Sequence, residues 1–158
     1  AIDRGLLYTV SGDENLQVVN VFDLKTGKHV RSWNITDTAL GCSSKLAVVR
    51  NQVVIADKAN KVLFVYTLTG QLFEQIPCQQ ITGGIVCMST ADNDSIILSD
   101  CKSNRVYKIS ITSGKVLWES DCVVNPQGVT CFNNQYVLVC GWNSGREKIH
   151  VLDINTGE

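Results

Sequence analysis

The 158-residue chain carries 14 Lys and Arg against 15 Asp and Glu, a net charge of −1, so it has no net attraction for phosphate. Its 44% apolar residues exclude a disordered chain, and no apolar run approaches the roughly 20 residues of a membrane-spanning helix. No charged-then-apolar signal segment opens it, although it begins at Ala1 rather than Met, which leaves an upstream leader or region open.

The first strand-like runs are Leu6 to Val10, Gln17 to Leu24 and His29 to Ile35, with little before Leu6 to add another. The second set is the clearest. Leu46 to Val49 is followed by a tight turn at Asn51-Gln52, then Val53 to Ala56 ending at Asp57. A polar loop, Lys58 to Lys61, leads to Val62 to Leu68, a Thr69-Gly70 turn, and Leu72 to Ile76. The third set repeats this: Gly84 to Met88, a turn over Thr90 to Asp94, Ile96 to Ser99 with Asp100, Asn104 to Ile111, Gly114, and Val116 to Glu119. The fourth has Gly128 to Phe132, a turn at Asn133-Asn134, Tyr136 to Cys140 and Lys148 to Ile154. Short apolar or alternating runs split by Gly, Asn and Asp predict an antiparallel meander.

Gly27, Gly70, Gly114 and Gly157 each follow Thr or Ser, at intervals of 43, 44 and 43 residues. Tight hairpins need a residue with positive φ, which glycine adopts without a Cβ penalty. A period of roughly 40–45 residues in a strand-rich chain predicts an all-β fold, a β-propeller of four-stranded antiparallel blades. The repeats fall at about 1–40, 41–82, 83–125 and 126–158 of a single domain, with three, four, four and three predicted strands and no helix beyond a turn. The incomplete outer repeats predict a segment of a larger propeller, whose exposed edges and blade faces favour self-association in isolation.

Seven cysteines make an odd number. Cys87 and Cys131 occupy matching strand positions, as do Cys78 and Cys122, so they read as buried, unpaired apolar residues, in a reducing, cytoplasmic compartment. No Cys/His cluster has zinc spacing. His29 and His150 lie in different repeats, and no hydrolase, zincin or nucleotide-binding motif occurs, so the chain reads as non-enzymatic.

Asp57 and Asp100 recur at one repeat position; a carboxylate there fixes a turn by accepting backbone N–H bonds, or contributes to an acidic ring on one face. Lys58, Lys61, Lys102 and Arg105 fall in equivalent loops and form either a basic stripe or ordinary solvated residues. Trp142, Asn143 and Arg146 belong to a polar loop, Gly141 to Glu147. Trp142 reads as a partner anchor, paired with Arg146, or as a residue packed between blades.

Val53-Val-Ile-Ala-Asp-Lys-Ala-Asn-Lys-Val-Leu-Phe-Val and Ile97-Leu-Ser-Asp-Cys-Lys-Ser-Asn-Arg-Val-Tyr-Lys-Ile resemble NHL repeats, in which a strand ends at Asp, a short loop carries Asn, and Arg/Lys-Val opens the next strand. Asn125-Pro-Gln-Gly-Val129 resembles the start of an NHL inner strand. The first repeat departs towards a WD-like pattern, with Phe22 where Trp is usual, and the fourth has Gly141-Trp142 in place of the Asp. This resemblance implies a partner- or substrate-binding part of a larger multidomain protein, with RNA binding as the alternative. Propeller enzymes of the lactonase kind gather carboxylates around a central metal. The predicted inner strands, Leu46 to Val49, Gly84 to Met88 and Gly128 to Phe132, hold no Asp or Glu, so neither metal nor cofactor is expected. Ser113 to Trp118 also resembles quinoprotein-type blades, which keeps a secreted or periplasmic propeller open.

The expected function is therefore a non-enzymatic protein-interaction platform. Its surface would be the loop face carrying Asp13 to Asn15, Asp57, Lys58, Asp100, Lys102, Trp142, Asn143 and Arg146.

Overall fold

A computed structural model describes residues 1–12, 16–35, 45–57, 60–143 and 145–158. Among them are fifteen strands and no helix. The first blade is β1 (Ile2–Asp3), β2 (Leu6–Gly12), β3 (Gln17–Asp23) and β4 (His29–Ile35). The second is β5 (Lys45–Val49), β6 (Gln52–Asp57), β7 (Val62–Thr67) and β8 (Leu72–Pro77). The third is β9 (Ile85–Thr90), β10 (Ser95–Asp100), β11 (Arg105–Ser110) and β12 (Val116–Ser120). The fourth holds β13 (Pro126–Phe132), β14 (Tyr136–Asn143) and β15 (Arg146–Asp153). Each sheet is an antiparallel meander in chain order, and the four are arranged as propeller blades, with β1, β5, β9 and β13 innermost.

The first blade has one strand more than expected. Ile2 pairs with Leu7 and Asp3 with Leu6, while Ala1 and Tyr8 exchange backbone hydrogen bonds of 2.8 and 2.9 Å. Two residues are too short for a periodic apolar signal, so the strand is invisible to pattern reading. It also places a carboxylate, Asp3, on an innermost strand, whereas β5, β9 and β13 carry none. The turn expected at Asn51-Gln52 lies one residue earlier: Arg50 and Asn51 have φ of +48° and +62°, the paired left-handed conformation of a two-residue hairpin.

Strand composition follows burial. In β6, β7, β10 and β11 nearly every side chain is covered, because the second and third blades are packed on both faces; β6 and β7 are correspondingly apolar over most of their length, while β11 also buries Lys108 and Ser110. In β14, Val137, Val139 and Gly141 are buried while Tyr136, Cys140 and Trp142 are exposed. That alternation marks a sheet covered on one side.

Three apolar clusters hold the blades together. Tyr8, Val19, Val21 and Ile35 pack against Val53, Ile55, Phe64 and Tyr66 between the first and second blades. Val54, Leu63 and Val65 meet Ile96, Leu98 and Ile109 between the second and third. Ile97 and Val106 meet Val129, Val137, Val139 and Leu152 between the third and fourth. Among the described residues no such cluster joins the fourth blade to the first.

The repeated glycines have a second cause besides hairpin geometry. A Cβ on Gly70 would come within 2.3 Å of the Trp33 ring, one on Gly114 within 3.0 Å of Ile76, and one on Gly157 within 2.6 Å of Trp118. In each case the outermost strand of one blade rests a large apolar side chain on the hairpin turn of the next. Gly27, in the first blade, has nothing within 4 Å of that position. Hydrogen bonds run the same way: Arg31 Nε donates to the Leu68 carbonyl at 3.2 Å, and Trp118 Nε1 and Lys108 Nζ donate to the Ile154 carbonyl at 3.0 and 3.1 Å.

Lys108 is itself almost fully buried and forms an ion pair with Asp92 at 3.1 Å. Burial pushes the Asp92 carboxyl up, but hydrogen bonds from the Ser95 hydroxyl, the Asp94 amide and the Lys108 ammonium outweigh it and bring its pKa down to about 2. The folded pKa lies below the unfolded value of about 3.9. The stabilisation is therefore complete above about pH 4 and is lost as the pH falls towards 2. Asp92→Asn is expected to flatten that part of the acid-denaturation curve, followed by fluorescence; an unchanged slope between pH 4 and 2 would refute the assignment.

The cysteines follow the predicted register only in part. Cys87 and Cys131 do sit on neighbouring innermost strands, but they are half-buried rather than buried. Cys78 is enclosed and burial pushes its thiol up to about 11, whereas its repeat counterpart Cys122 is exposed. The next residue, Val123, takes the enclosed place there.

Candidate partner-binding surface on the fourth blade

The two repeated acids are turn-forming groups. Both Asp57 and Asp100 are completely enclosed. Asp57 accepts from the Asn60 amide at 3.1 Å and from its side-chain Nδ2 at 2.7 Å. Asp100 accepts from the Gly83 amide at 2.8 Å and from the Lys102 and Ser103 amides at 3.2 Å. A buried carboxylate needs such donors, and these bonds close the loops from the inside. Neither acid contributes to an exposed acidic ring.

The residues of the expected basic stripe are described only in part. Lys58 lies outside the described residues, as does the Asp13 to Asn15 loop. Lys61 is half-buried with a φ of +56°, matched by Asn104 at +54°. Lys102 is exposed, but Arg105 is held by Glu119 at 3.3 Å and Asp121 at 3.7 Å. His29, on β4 of the first blade, stands edge-on to Phe22 with ring centres 5.4 Å apart, and His150 lies on β15 of the fourth blade. Among the described residues no group of three or more His, Cys, Asp or Glu is placed to hold a metal ion.

Trp142 is in a strand and not in a loop. β14 runs on to Asn143 and β15 starts at Arg146, so only residues 144–145 connect them. Trp142 pairs with Glu147, and Asn143 with Arg146. Neighbouring residues alternate across a sheet, so Trp142 and Arg146 face opposite sides and do not form a joint anchor. The strand reaches this far because of Gly141. A Cβ there would sit 2.7 Å from Val123 and 3.0 Å from the Val124 carbonyl. The bare backbone lets the 123–124 segment close in, and the Trp142 amide donates to the Val124 carbonyl at 3.2 Å. Gly141 stands where the second and third blades have Asp57 and Asp100, so a backbone contact replaces the carboxylate clamp.

Trp142 is half exposed beside an open hollow of about 540 Å³, lined also by Gln127, Cys140, Gly141, Glu147, Lys148 and Ile149. From the hollow an apolar face continues down the sheet. Leu138, Cys140 and Trp142 on β14 lie opposite Val151, Ile149 and Glu147 on β15, and Phe132 of β13 lies beside Tyr136. Sequence reading selected Trp142 for its type but missed Ile149 and Val151. Their signal was available in Glu147-Lys-Ile-His-Val-Leu152, where Ile149 and Val151 share one face and Leu152 takes the other.

No family model matches the chain, and no curated protein is similar to it in sequence. Solved structures are similar in fold. The computationally designed Ika8 protein matches with a TM-score of 0.66 at 18% identity, over 100% of this chain and 46% of that one. A chain of the nidogen/laminin complex matches with a TM-score of 0.70 at 18% identity, over 96% of this chain and 58% of that one. Myxococcus xanthus glutaminyl cyclase matches with a TM-score of 0.66 at 13% identity, over 98% of this chain and 64% of that one. The chain thus spans between 46% and 64% of the length of these structures, and the likeness, at such identities, is one of propeller fold alone.

Proposed function

We propose that this chain is a non-enzymatic protein-interaction platform, the partner- or substrate-binding part of a larger cytoplasmic protein, built from repeats similar to NHL repeats. One observation carries the reading: a rigid sheet presents Cys140, Trp142, Ile149 and Val151 together on an exposed face, with Trp142 51% accessible at its rim. A contiguous apolar patch of this kind marks a contact surface, and tryptophan is the residue type most enriched among binding hot spots. The seven cysteines, an odd number, and the repeat register of Cys87 and Cys131 support a reducing compartment.

The test is a binding titration of the intact parent protein against its co-purifying partner. Trp142→Ala is expected to weaken binding by about 1–3 kcal/mol, roughly 5- to 150-fold, with little change as salt is raised. Arg146→Ala, on the opposite face, is expected to have little effect. If Trp142→Ala is silent while Lys102→Glu and added salt abolish binding to RNA, the platform reading fails.

A further inference from the structure

The exposed face of the fourth blade occupies repeat positions that are enclosed in the blades before it. The pairing register aligns them directly. Leu63 of β7 and Val106 of β11 correspond to Ile149 of β15; the first two are 0% exposed and Ile149 is 70% exposed. Val65 and Lys108 correspond to Val151, at 0%, 6% and 59%. Val54 and Ile97, both 0% exposed, correspond to Leu138. In the second and third blades each of these side chains is covered by the blade that follows.

We propose that this face receives a further four-stranded blade of the same repeat, supplied by the same polypeptide. The inference rests on the reading of this face as a protein contact only; it makes that contact intramolecular, so the next blade and a separate partner at Trp142 are alternatives that the experiment below separates. Continuity with three existing interfaces is the first argument, since aliphatic residues in one register are buried each time by the next blade's second and third strands. The chemistry required of the occupant can be read from the second blade, which offers Val53 and Ile55 on its second strand and Phe64 and Tyr66 on its third.

A second copy of this chain does not meet that requirement. The corresponding face of the first blade places Thr9 opposite Asn20, and Asn20 Nδ2 donates to the Ser11 hydroxyl at 2.9 Å. Burying that polar surface against Ile149 and Val151 would be costly. The similar propellers extend well past the matched portion, which is consistent with further blades.

The test uses the intact native polypeptide and the rate at which maleimide labels each thiol, resolved by peptide mass spectrometry. Exposed Cys122 and enclosed Cys78 are internal standards. Cys140 is expected to label at least 100-fold more slowly than Cys122, equally at all dilutions. A photo-crosslinking residue at Ile149 is expected to attach within the same polypeptide, outside residues 1–158. Attachment to a second copy, with dilution-dependent protection, or to a different protein overturns the inference and leaves the platform reading standing. Labelling of Cys140 as fast as Cys122, in purified polypeptide and in extract of its source cells alike, overturns both.

Discussion

Gly70→Ala is expected to destabilise the protein by about 3 kcal/mol, and Gly27→Ala by only about 1 kcal/mol. Both glycines have left-handed φ, +90° and +68°, so both substitutions incur backbone strain. They differ in what lies above the Cα. At Gly70 the new methyl would stand 2.3 Å from the ring of half-buried Trp33, which must shift from its place against the apolar cluster between blades; at Gly27 there is open space. Overpacking of that kind typically costs 1–3 kcal/mol beyond the strain. Gly157, under Trp118, should behave like Gly70, and Gly114, with Ile76 at 3.0 Å, should fall between. Urea denaturation followed by tryptophan fluorescence would rank them. Equal costs at all four positions would show that turn conformation alone requires glycine here.

Leu63→Ala is expected to cost about 3 kcal/mol, within the 2–5 kcal/mol of buried leucine truncations. Leu63 is fully enclosed between the second and third blades, in one cluster with Ile96, Leu98 and Ile109. Its repeat counterpart, Ile149, is 70% exposed, and Ile149→Ala should change the stability of the 158-residue chain by no more than about 0.5 kcal/mol. In the native polypeptide the covering blade would raise that cost towards the value for Leu63. Thermal melts of the two variants give the comparison. A large loss from Ile149→Ala in the short chain would mean that the face is already covered.

Periodicity made the architecture legible in the sequence. The Thr/Ser-Gly turns sit at φ between +66° and +90°, and the predicted runs are matched within a residue or two except at β14, which continues three residues further. The residue before each turn, Asp23, Thr67, Ser110 or Asp153, also supplies a side-chain oxygen to a turn amide. β1 was not legible, because two residues carry no period. The surface was legible only by residue type. Trp142 stood out as an exposed aromatic, but its placement in a loop beside Arg146 assumed that the glycines at 141 and 145 both marked turns. Gly145 does, at φ +81°; Gly141 instead admits the neighbouring backbone, so the strand continues and sends the two side chains to opposite faces. Asp57 and Asp100 were readable as turn formers because an Asp before a short polar loop has donors close at hand. What stays hidden at the level of sequence is which apolar residues are left uncovered, since that depends on the neighbouring blade and not on the strand itself.

The glycine shelves also give assembly a direction in time. Trp33, Ile76 and Trp118 each precede in the chain the turn on which they rest, by less than one repeat. As the polypeptide leaves the ribosome, the weight above each shelf has therefore emerged before the shelf. Every new blade finds its template already folded behind it, and the loop to be closed is equally short at each step, so its entropic cost does not grow as the molecule lengthens. Each large side chain thus stays uncovered only until the following blade is synthesised. Here only the newest face waits uncovered, which limits the aggregation-prone surface of a growing chain to one blade at a time.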